Sequence, residues 1–153
     1  MKRKSFDKIV TAVGFGLAVF LLIAAGLLNW GAGFASDAVS AQLKAQEITF
    51  PAVTGNADES ADITTFFAAN GEKILSNAAQ AQMYADYYLG FHLSKMPTYA
   101  AASGASRAAA AAVAANPTDA TLKAEAAGKA AMLDTVFKGT VLRGTLLTAY
   151  AFG

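Results

Sequence analysis

A chain of 153 residues that is 55% hydrophobic, 15% charged and of net charge +1 has room for one domain beside a membrane segment, and it lacks the basic face that nucleic acid binding demands. With no cysteine and a single histidine, it cannot build a disulfide framework or a lipoprotein attachment site. Nor can it assemble the common zinc sets or a two-His, one-carboxylate iron site within one chain. Read in chain order, the residues predict an all-α protein: an N-terminal transmembrane helix, a small extracytoplasmic helical domain and a C-terminal segment returning to the membrane.

Residues 1–8 form a basic stub, with Lys2, Arg3, Lys4 and Lys8 against Asp7. The uncharged stretch that follows, 9–34, makes a helix of about 39 Å at 1.5 Å per residue, more than the ~30 Å hydrocarbon core requires. Positive charge beside a first span keeps the N-terminus in the cytoplasm and sends 35–137 outside, which fixes a plasma-membrane location. A cleaved signal peptide is the rival reading, with Gly33-Phe34-Ala35 or Ser36-Asp37-Ala38 as cleavage sites, but secretory apolar regions run only ~7–15 residues. Thr11, Gly14, Ala18 and Ala25 fall near one face of the span. Small residues let helix backbones approach in lipid, so this face is either a groove for a partner helix or the ordinary Gly and Ala content of a membrane helix. Asn29-Trp30 sits where an indole belongs at the headgroup level.

The helical pattern runs on to Ala45 and stops before Ile48-Thr49-Phe50-Pro51, a short extended piece that Pro51 keeps from becoming helix. Val53 to Asp62 reads as an exposed loop, and Ile63 to Ala69 as a short helix that ends at Asn70-Gly71 in the left-handed conformation. Ser76 is the expected cap of a helix over Asn77 to Lys95, closed by Met96-Pro97. Along it Tyr84, Tyr87 and Phe91 form one stripe, and Ala78, Ala81, Ala85 and Tyr88 a smaller neighbouring one. Such a face serves as a helix-packing surface or as an aromatic groove.

Thr98 caps a helix over Tyr99 to Ala115, and Asn116-Pro117-Thr118-Asp119 breaks it and starts another from Ala120 toward Phe137. The alanine-rich 100–115 packs as a hairpin or stays disordered. The closing segment, 138–153, is membrane-proximal and apolar after Arg143, too short to span alone, and looks like the start of a second membrane helix. Lys138 and Arg143 are either membrane-surface charges that meet lipid phosphate or a partner's acids, or ordinary flanking charge.

No chemistry-bearing pattern accompanies these elements. His92 stands with Tyr88 one turn before it and Asp86 off its face; Ser103-Gly104-Ala105-Ser106 is no nucleophile elbow, and the carboxylates Asp58, Glu59 and Asp62 sit in a loop as solvated charge. No enzyme, cofactor or metal is expected.

The runs Gln42-Leu43-Lys44-Ala45-Gln46-Glu47-Ile48-Thr49-Phe50-Pro51, Ala79-Gln80-Ala81-Gln82-Met83-Tyr84-Ala85-Asp86-Tyr87-Tyr88 and 137–152 resemble a family of small actinobacterial membrane proteins, over most of the chain. Its members have an N-terminal span, an extracytoplasmic helical domain and a second span preceded by a Phe-Arg-Gly-Glu-Thr-Leu-Arg-Gly-like run. Here Lys138 stands for the usual arginine and Thr140 for the glutamate. The resemblance implies topology and an actinobacterial origin, and no activity. A label some members carry, aromatic ring-opening dioxygenase, would need metal ligands that this sequence does not have.

The resulting expectation is a non-catalytic accessory subunit held in the lipid bilayer against a larger integral membrane protein complex, with an actinobacterial respiratory assembly as the host. The alternative is a free-standing cell-envelope module that binds lipid or peptide in a groove of Tyr84, Tyr87, Tyr88 and Phe91.

Overall fold

The computed structural model describes residues 3–153; Met1 and Lys2, the start of the basic stub, lie outside the described residues. Among the described residues there are six α-helices: α1 (Arg3–Ala45), α2 (Ala61–Asn70), α3 (Ala78–Met83), α4 (Gly90–Ser94), α5 (Tyr99–Ala115) and α6 (Ala120–Phe152), with a π-helical turn, Tyr84–Leu89, between α3 and α4. The expected all-α class holds, with one long apolar helix at its N-terminal end.

α1 is a single rod of 43 residues, about 65 Å long, that runs through the expected membrane stretch and on to Ala45 without a break. It has no proline and its glycines are solitary, so nothing interrupts the amide ladder. From Arg3 to Trp30 none of its residues is buried by the rest of the chain, and only Leu43, near its far end, enters the core. By length and composition α1 fits a membrane span, a test that an N-terminal signal sequence also passes.

The helical body begins where α1 ends. Ile48 to Phe50 is extended, as the sequence predicts, because it pairs with Lys73 to Leu75: the Phe50 amide donates to the Lys73 carbonyl at 2.8 Å and the Leu75 amide to the Ile48 carbonyl at 2.8 Å. This pairing sinks Phe50 into the centre of the body, where its ring meets Phe67 at 4.8 Å, and Phe50, Phe67 and Leu75 are fully buried. Leu43, Ala81, Ala85 and Leu146 complete the core, so α1, α3, the π turn and α6 all converge on the ring of Phe50.

One buried polar side chain ties α2 to α3. Gln80 is 5% exposed; its Oε1 accepts from the Ser76 amide at 2.8 Å while its Nε2 donates to Asn70 Oδ1 at 2.9 Å. Each of its polar ends therefore has a partner, which is what makes its burial tolerable.

Several boundaries differ from the sequence-based expectation. α3 is capped by Asn77, whose side chain accepts from the Gln80 amide at 2.9 Å, and not by Ser76, because Ser76 is already committed to Gln80 and to Ser40. The left-handed residue after α2 is Glu72, with φ 63°, and Gly71 has φ −50°. Gly71 answers a different need: a Cβ there would lie 2.7 Å from Ala52 Cβ and 2.9 Å from Ala52 Cα, so only glycine lets these two backbones meet. The expected helix from Ala120 to Phe137 continues unbroken to Phe152, because Gly139 costs a long helix only about 1 kcal/mol and packing of Val136 and Leu146 outweighs it. The caps of the hairpin are as read: Thr98 Oγ1 accepts from the Ala101 amide at 3.3 Å, and Asp119 Oδ1 from the Thr121 and Leu122 amides at 2.8 and 3.1 Å. The alanine-rich 100–115 is helix and packs on α6.

Candidate functional site

The four small residues singled out on α1, Thr11, Gly14, Ala18 and Ala25, lie in the part of the helix that the chain leaves bare. A Cβ built at Gly14 would meet nothing within 4 Å. The bulky residues around them are equally uncovered, Phe15, Leu22 and Leu28 being 72–75% exposed, and Trp30 stacks on Phe34 at 5.9 Å. The whole surface is free for another apolar phase or another helix.

The tyrosine-rich helix is rearranged by its π turn. The Gly90 amide donates to the Ala85 carbonyl five residues earlier, one residue more than an α-helix allows. The extra residue moves the aromatic row: rings of Tyr84 and Tyr88 lie 5.0 Å apart and those of Tyr88 and His92 4.4 Å apart. Tyr84, Tyr88 and His92 therefore form the continuous stack, in place of the expected Tyr84, Tyr87 and Phe91. Tyr84, Tyr87 and Tyr88 pack on the core cluster, while Phe91 meets His92 edge-on at 5.6 Å and carries the Lys95 ammonium 5.0 Å above its ring. Burial first, and Tyr88 second, raise the Tyr84 phenol above its ordinary pKa.

His92 closes the row. Its Nδ1 lies 2.7 Å from the Tyr88 carbonyl, which can only accept, so the proton sits on Nδ1. Gly55 covers the ring from the loop above with φ 85°, a conformation side chains rarely adopt, and a Cβ there would lie 3.3 Å from His92 Cε1. Among the described residues no three His, Asp or Glu side chains gather closely enough to hold a metal ion.

Lys138 and Arg143, read together from sequence, are separated by the structure. Lys138 pairs with Asp134 at 2.7 Å, both side chains largely exposed. Arg143 reaches the π turn, where Nη2 donates to Asp86 Oδ1 at 2.9 Å and Nε to the Ala85 carbonyl at 3.0 Å. That carbonyl thus serves both the π-turn amide and the guanidinium, so α6 holds the widened turn open from outside. Neither the turn nor its arginine partner was visible in sequence, because the two segments lie 57 residues apart and a one-residue expansion leaves the hydrophobic pattern intact.

A groove that sequence reading missed runs between the last turns of α1 and the C-terminal half of α6. Val39, Leu43 and Gln46 form one wall, Val141, Thr145 and Phe152 the other, and the open-sided space between them is about 570 Å³. The signal was present as a helical stripe at 138, 141, 142, 145, 149 and 152, matched by 39, 42 and 43 on α1 and by 46 just past its end. A second hollow, of about 550 Å³, lies over Ala52 to Ala57 and α2. None of the rings Tyr84, Tyr87, Tyr88 or Phe91 lines either one. Compared with protein-family models, with curated proteins and with solved structures, the chain finds no match.

Proposed function

We propose that this chain is a non-catalytic accessory subunit of a larger membrane complex, of the kind the actinobacterial resemblance suggests, with a respiratory assembly as host. α1 crosses the plasma membrane with its basic end in the cytoplasm, and the helical body stands on the outer face. One observation carries the reading: the apolar length of α1 is left wholly uncovered by its own chain, including the small-residue face at Gly14 and Ala18. In lipid such a face is where a neighbouring helix gains most from close packing. The tyrosine-rich helix supports the same reading, since Tyr84, Tyr87 and Tyr88 pack inward and the binding-module alternative would need them to line an open pocket.

The test is purification of the tagged protein in mild detergent, with native size, intact mass and co-purifying chains recorded. A stoichiometric large assembly with the N-terminal helix retained supports the proposal. A lone small particle, or a mass showing loss of the first 35–38 residues, overturns it. Gly14→Leu combined with Ala18→Leu should release the subunit from the assembly while its helix content stays constant; unchanged co-migration counts against the packing face.

A further inference from the structure

We propose that the groove between α1 and α6 is a binding site for a single long-chain fatty acid, its tail lying along the apolar floor and its carboxylate at Lys138. The groove belongs to the helical body, so this inference is independent of what α1 packs against.

Shape comes first. From Phe137 to Phe152 the α6 wall is about 22 Å long at 1.5 Å per residue. An open-sided volume of about 570 Å³ spread over that length makes a shallow trough, within the ~300–1,000 Å³ of small-molecule sites. A linear acyl chain needs no more than the trough offers.

Chemistry comes second. The floor is Leu142 and Leu146, and Leu146 is only 2% exposed, so the deep surface is aliphatic. Among the described residues that line the groove, Lys138 is the one charged side chain, and no carboxylate accompanies it there. An anionic head is therefore attracted at one end, where it takes the place of the Asp134 carboxylate beside the ammonium. Lys138 is 73% exposed and its pairing with Asp134 is a solvated i, i+4 contact, a kind that holds its partners weakly and leaves the ammonium free to turn.

Polarity along the groove fixes the orientation. At the opposite end from Lys138, α6 and α1 converge: a Cβ at Gly153 would lie 2.9 Å from Val39 Cγ1. The tail is accordingly directed toward Val39 and Phe152, and the head toward the wider end at Lys138 and Gln46.

The experiment uses the full chain in mild detergent with a photoactivatable, diazirine-bearing palmitic acid, followed by digestion and mapping of the labelled peptides. Labelling of 137–149 should fall at least tenfold when unlabelled palmitic acid competes, and less than twofold with its methyl ester. Labelling of 9–30 by non-specific partition should change with neither competitor and serves as the internal reference. Thr145→Trp, which fills the trough, should remove at least four-fifths of the groove label; Thr148→Phe at the rim repeats the test, with helix content checked for both. Lys138→Gln should weaken palmitate competition about fivefold and leave the ester unchanged. Groove labelling that palmitate does not compete, or that the ester competes equally, overturns the proposal. So does a protein segment cross-linked to Val141 or Thr145 in intact membranes, which would assign the groove to a partner helix.

Discussion

Two regions of this chain carry large apolar side chains and end in opposite circumstances. Residues 9–34 of α1 contribute nothing to a core, whereas the body, built from shorter and more polar segments, buries Phe50, Phe67 and Leu75 completely. The difference lies in pattern. α1 is apolar around its whole circumference and so presents no face that a water-soluble body could cover and still leave a polar one outside. The body's helices carry stripes, and its extended piece puts one large ring, Phe50, inward between Thr49 and Pro51. Apolar content thus measures how much surface seeks cover, and periodicity decides whether the chain itself can provide it.

The largest expected separation of the two regions comes from Phe67→Ala. Removing a fully buried ring at the centre should cost the body about 3–5 kcal/mol, read as a lowered denaturant midpoint, with membrane retention unchanged. The mirror experiment is Leu21→Arg, placed mid-way along the bare helix. A charge there should disfavour insertion by about 3 kcal/mol, visible as loss from the membrane fraction, and leave the body's unfolding midpoint alone. If either substitution moved both readouts equally, the two regions would not be energetically separate.

Smaller effects sharpen the picture within the body. Arg143→Met removes the outer hold on the Ala85 carbonyl and the Asp86 carboxylate. Both side chains are more than a third exposed, so solvent screening limits the expected loss to about 1 kcal/mol in thermal unfolding. A larger readout is local: amides of the π turn should exchange faster with solvent than those of α5.

The smallest effect is on pH dependence. Tyr84 has its pKa raised above the ordinary 10.0 by burial and by Tyr88, so the unfolded chain releases this proton before the folded one does. Its contribution is therefore complete below about pH 10 and drains away as pH rises further. Unfolding midpoints should fall more steeply above that pH in the unsubstituted protein than in Tyr84→Phe; identical slopes would remove Tyr84 from the account.

Local signals in this sequence are legible where they act on the nearest few residues. Pro51, Thr98, Pro117 and Asp119 mark their breaks and caps because each works through its own backbone or the next two amides. The cap at Asn77 was displaced by one position because Ser76 spends its hydroxyl and amide on Gln80, a choice that depends on what α2 brings alongside. The helix expected to stop near Phe137 persists because tertiary packing of Val136 and Leu146 overrides Gly139 and Gly144. Of the candidate surfaces, the small-residue face of α1 is readable since it belongs to one helix. The groove and the Arg143 contact join segments far apart in the chain, and no local pattern says which stripe will face which.

The continuity of α1 has a mechanical consequence. A helix with no break between Trp30 and Leu43 is a stiff lever, and the body is clamped to its last turns through Leu43 and Val39. Nine residues separate Trp30 from Val39, about 14 Å of rigid rise, so the body has a fixed standoff from whatever plane the indole occupies. Any change in the rod's inclination is delivered to the body as a swing of the same angle, with no joint to absorb it; at a tilt of about 20°, the top of the 65 Å rod lies roughly 22 Å to the side of its foot. Posture in the lower half of the molecule is thereby read out as position in the upper half.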